Sequence, residues 1–158
     1  MAAEEMRYPA SRLLVAVAVS GMWLAAAGSA SAYDFAAIKP LDIKALDPAM
    51  LNDIYGAWEI RSRDGTKRCR IVLSRGPAIG GFAVDVAQAC ARQFPVMADI
   101  AGWRLLENWT IDLIDPLRKT RVRFQSPDDR YVAFGASRDI AGMDELVKLP
   151  DGKSSGKQ

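Results

Sequence analysis

From Gly56 onward apolar residues fall on every second position, in short runs broken by turn-forming residues, and this period of two fixes the fold class. Trp58 and Ile60 alternate with Glu59 and Arg61. Cys69, Ile71 and Leu73 alternate with Arg68 and Arg70, and Phe82, Val84 and Val86 with Ala83 and Asp85. Side chains two apart share one face of a strand, so each run offers one apolar and one polar face. Arg63-Asp64-Gly65-Thr66 supplies a turn, residues 74–81 read as a loop, and residues 87–94 suit a helical turn closed by Pro95. Further strands are predicted over residues 103–106, 110–114, 120–125, 131–135 and 145–149. Glu107-Asn108, Asp115-Pro116 and Pro127-Asp128-Asp129 punctuate them. The pattern is all-β. Closely spaced antiparallel strands with one apolar face give a sandwich or a closed barrel, and eight strands suit a barrel filled by its own side chains.

The residues before Gly56 follow other rules. Asp47-Pro48 reads as an N-cap followed by proline at the first helical position, where its missing N–H costs nothing. Met50, Leu51 and Ile54 give that short helix an apolar side, and Gly56 can end it. Residues 33–46 show no period and contain Pro40, so they read as an extended leader. Residues 13–28 are apolar and uncharged, but the run is shorter than the ~20 residues of a membrane span. Ala30-Ser31-Ala32 follows as a small-residue cleavage pattern, so residues 1–32 are expected to be a signal peptide cut after Ala32. No stable membrane span is then expected in the mature chain. No cysteine precedes Cys69, which excludes lipid attachment at an N-terminal cysteine. The expected organisation is signal 1–32, leader 33–46, barrel domain 47–149 and a flexible polar tail 150–158.

Composition narrows the chemistry. Half the residues are apolar and 25% are charged, as a folded domain requires. The net charge of +2 argues for neither nucleic acid nor an anionic membrane. Histidine is absent, which removes Ser-His-Asp and Cys-His nucleophile systems, paired-histidine zinc motifs and imidazole as a base. Two cysteines cannot build a four-thiolate zinc site. No catalytic residues, no cofactor and no metal of the protein's own are expected. Cys69 and Cys90 are expected to pair in an oxidising compartment, closing a loop worth roughly 3 kcal/mol. Two buried free thiols are the alternative reading.

Among the larger side chains, Trp58 and Trp103 read as core. Trp109, beside Asn108 in a turn, reads as exposed and as a possible partner contact. Arg61, Arg63, Lys67, Arg68, Arg70, Arg118, Lys119, Arg121 and Arg123 take outward strand or turn positions and read as a solvated basic face.

The ordered set of Gly56-Ala57-Trp58, Cys69, Cys90, Gly102-Trp103-Arg104 and the closing Leu146-Val147-Lys148-Leu149 resembles the bacterial alkaline proteinase inhibitor family. Its members are periplasmic inhibitors of serralysin-type zinc metalloproteases, and related envelope proteins share the domain. The glycine-x-tryptophan opening is also shared with lipocalin-like barrels. The resemblance implies an eight-stranded antiparallel barrel with one disulfide, a periplasmic location and a secreted zinc metalloprotease, or another protease, as partner. It also implies that the mature N-terminal segment, here Tyr33, Asp34, Phe35, Ala36 and Ala37, enters the protease cleft. The free α-amino group would then ligate the protease's zinc while the barrel blocks the cleft mouth. This chain's Tyr33-Asp34-Phe35 departs from the small polar start of that family. A monomer is expected. The alternatives are an envelope interaction protein or a barrel that carries a small apolar ligand.

Overall fold

A computed structural model describes residues 35–134 and 140–150. The expected signal segment 1–32 with its cleavage site, leader residues Tyr33 and Asp34, Gly135 at the end of the seventh expected strand, and tail residues 151–158 lie outside the described residues. After a short turn at Ile43–Ala45, the chain forms α1 (Pro48–Ile54), then β1 (Gly56–Arg61), β2 (Arg68–Ala78) and β3 (Gly81–Val86). A four-residue helix α2 (Cys90–Gln93) and a 3-10 turn (Pro95–Asp99) lead to β4 (Gly102–Leu106) and β5 (Thr110–Ile114). β6 (Thr120–Gln125), β7 (Tyr131–Phe134) and β8 (Glu145–Lys148) complete the sheet. Every strand is antiparallel to its neighbours, and β8 returns to β1, closing an eight-stranded barrel.

The period of two produces the core directly. Trp58, Ile60, Ile71, Leu73, Trp103, Leu105, Ile111, Leu113, Val122, Phe124 and Leu146 are buried together in one cluster. These side chains form the core inside the barrel. Asp47 caps α1 by accepting from the Ala49 N–H at 2.8 Å, with Pro48 at the first turn. The helix packs Ile54 and Leu51 against the core, and the Trp58 indole N–H donates to the Ile54 carbonyl at 2.7 Å. Cys69 and Cys90 are joined as a disulfide and are 2% and 1% exposed, so the bridge ties β2 to α2 inside the core.

The loop expected over residues 74–81 is one departure from the sequence reading. The stretch after Leu73 reads as loop because of Gly76 and Pro77, yet β2 continues to Ala78 and Pro77 pairs with Phe82. A register shift between Leu73 and Pro77 marks a bulge, and a bulge is where a strand tolerates a residue without an N–H.

Candidate functional site

The outer face of an antiparallel barrel is normally wet and polar. Here part of it is dry. On the outward side of β4, β5 and β6, Leu106, Thr110, Asp112, Ile114 and Arg123 are all at most 3% exposed. Asp112 on β5 and Arg123 on β6 are direct cross-strand partners. The Arg123 Nε and Nη2 donate to the two Asp112 carboxylate oxygens at 2.7 and 2.9 Å, and the Thr120 hydroxyl donates to Asp112 at 2.7 Å. This corrects the sequence reading of Arg123 as solvated: its outward parity is right, but the surface above it is covered.

Part of the cover is the leader. The third Arg123 nitrogen, Nη1, donates to the Ala36 carbonyl at 2.7 Å, and the guanidinium lies 5.0 Å from the Phe35 ring centroid. Further along, the Glu107 N–H donates to the Lys39 carbonyl at 2.9 Å and the Leu41 N–H to the Leu105 carbonyl at 3.1 Å. Pro40 thereby bridges Leu106. The leader can do this because β3 pairs with β4 only at Phe82 and Trp103, which leaves the end of β4 with an open edge. Leu41, Ile43 and Leu46 then pack on the core on the way to α1.

Beside the leader, Ile38 shares a small groove with Asn108, Thr110 and Gln125. A larger cavity of about 490 Å³ opens where Met50, Asp53 and Ile54 of α1 face Trp58, Trp109 and Tyr131. Burial pushes the Tyr131 phenol up to about 12. Trp109 is another correction. It is half-buried against the core, because Asn108 and Trp109 both take left-handed backbone angles (φ 59° and 56°) and fold the ring back over the barrel end. Trp58 and Trp103 are buried at 4% and 1%, and Gly56 and Gly102 sit at the starts of β1 and β4.

Of the other residues of the expected basic face, Arg61, Arg63, Arg68 and Arg121 are tied to carboxylates. Arg61 meets Glu145 at 2.9 Å, Arg63 meets Asp144 at 3.6 Å and Arg121 meets Asp99 at 3.3 Å. Arg70, Arg118 and Lys119 are exposed, as the sequence reading has them.

Residues 49–139 match the family model of the protease inhibitor Inh. The chain belongs to the Inh family. That assigns it to inhibitors rather than to enzymes, in agreement with the resemblance carried by Gly56, Trp58, the two cysteines and Trp103. No curated protein matches the chain. The Inh match begins inside α1 and ends before β8, so β8, which closes the barrel, and the leader both lie outside the matched stretch.

Proposed function

We propose that this Inh-family protein is exported to the periplasm, cut after Ala32, and there inhibits a secreted serralysin-type zinc metalloprotease. The observation that carries the reading is the family match over residues 49–139, on a disulfide-tied barrel. Tyr33 to Ala37 enter the active-site cleft, and the barrel, acting as a monomer, blocks its mouth. A neutral α-amine is a good zinc ligand, and it would displace the water that the protease's metal activates. Support for the leader's part comes from its placement: Phe35 and Ala36 rest against β6, close to the proposed mature end of the chain.

The test is titration of a serralysin-type protease with the mature protein and with a variant lacking Tyr33 to Ala37. Near-stoichiometric inhibition by the first and its loss in the second, with the barrel still folded, is the expected result. Full inhibition by the shortened protein moves the contact to the barrel. Failure of the intact protein against this and other proteases removes the reading.

A further inference from the structure

An inhibitory segment that must find a narrow cleft gains from being ordered before it arrives, because ordering a free peptide on binding weakens the complex. The leader is held at two points. Main-chain bonds at Lys39 and Leu41 fix it to the edge of β4. Arg123 fixes it again at Ala36, with one guanidinium nitrogen on the carbonyl and its flat face near the Phe35 ring. The other two nitrogens are committed to Asp112, whose side chain is 1% exposed, so the guanidinium cannot swing away without stranding a buried carboxylate. Thr120 takes a further Asp112 lone pair and holds the carboxylate in turn. The result is a fork built into the sheet that presents one free donor to the leader backbone.

Resting on the reading that the leader enters the cleft, we infer that Arg123, oriented by Asp112, is the positioning residue of the inhibitory leader. It sets where the leader leaves the barrel and how far it reaches. With cleavage after Ala32, only Tyr33 and Asp34 precede Phe35, and two extended residues span about 7 Å. A leader that stays clamped therefore enters the cleft with Tyr33 and Asp34 deepest and Phe35 to Ala37 at its entrance, and brings the outer face around β6, with the neighbouring turns at Asn108 and Pro127, up to the cleft mouth. The surface that meets the protease is this face, not the opposite wall of the barrel.

Two variants of the mature protein separate clamping from folding. R123K keeps a cation beside Asp112 but has no planar fork to reach Ala36 as well. F35A leaves the ion pair whole and removes the ring, and it carries the test if R123K does not fold. The readouts are the backbone ¹⁵N heteronuclear NOE at Ala36 and Ala37, amide shifts of the barrel, and the inhibition constant against a serralysin-type protease. The expected result is unchanged barrel shifts, a fall in the leader NOE, and inhibition weaker by about tenfold or more. A leader that stays ordered in both variants overturns the inference, as does a mobile leader with an inhibition constant within about twofold of the parent. Removing Tyr33 and Asp34 alone, with the clamp intact, tests the cleft reading separately. Unchanged inhibition there overturns that reading and the positioning role with it. Loss there, combined with full inhibition by a mobile-leader variant, overturns the positioning role alone.

Discussion

Replacing Asp112 with alanine should be one of the most damaging single changes on the outer surface. The side chains of Asp112 and Arg123 are 1% and 4% exposed, so Asp112→Ala leaves a guanidinium in a dry site with no carboxylate. Breaking a buried pair from one side costs about 3–5 kcal/mol, most of it the penalty for the stranded charge. Removing both charges behaves differently. In Asp112→Leu/Arg123→Met neither charge remains, and apolar replacement of a buried pair is neutral or stabilising by about 1–4 kcal/mol. Against that stands the lost hold on the leader: one charge-assisted bond to Ala36, about 1.5–3 kcal/mol, and the Phe35 contact, about 0.5–2 kcal/mol. At the midpoints of these ranges the double variant lies about 1–2 kcal/mol below the parent, and above the single variant. Urea unfolding with the disulfide intact measures this, provided the m-value stays constant so that midpoint shifts report stability. A cost below about 1 kcal/mol for Asp112→Ala would mean that water reaches Arg123. A double variant as unstable as the single one would mean that the stranded charge is not the cause.

Other consequences are open to simpler measurement. Replacing Cys69 and Cys90 by alanine should lower stability by about 3 kcal/mol through the lost loop constraint, read from the same urea curves, and a loss below about 1 kcal/mol would contradict it. Gly81→Ala drives a methyl into the Trp103 carbonyl oxygen, at the joint where β3 meets β4, and should cost about 1–3 kcal/mol; an unchanged melting temperature would show that the joint yields freely. The Tyr131 phenol should titrate near 12 when its absorbance is followed near 295 nm. Because burial raises the folded pKa above 10.0, the proton is held more tightly in the native state. The associated stability is then complete below pH 10 and falls as the pH climbs toward 12, whereas a phenol titrating at its ordinary value would show that the ring is solvated.

Much of the barrel was legible because its strands obey local rules. Residues 110–114 and 120–125, expected from alternation, are strands with those bounds, and Asp47-Pro48 starts α1 as capping chemistry demands. The disulfide followed from two cysteines and an export pattern, without any knowledge of their distance. What stayed hidden depends on geometry with no sequence period. Pro77 in β2 reads as loop until a bulge is seen to spare its missing N–H. Trp109 reads as exposed because a turn residue usually is. Only two successive left-handed residues bring its ring back to the core, and Asn108 is the sole local hint of that backbone.

Arg123 shows the limit most clearly, and it also explains why leader and barrel belong to one argument. In β6 the alternation assigns Arg123 outward, beside Arg121, and nothing within the strand separates the two. Arg121 is partly exposed, with Asp99 and Asp115 as partners, whereas Arg123 is buried because a segment 87 positions upstream crosses it. That crossing depends on a weakness elsewhere: β3 meets β4 at a single register pair, and the open end of β4 takes the leader as a partial extra strand. An exposed strand edge invites pairing with another chain. Here the chain's own leader fills it, so the feature that protects the barrel from association also delivers Ala36 to the one free nitrogen of Arg123. A leader without that edge would have no fixed path to β6, and an Asp112–Arg123 pair without the leader would lie under water and be worth little.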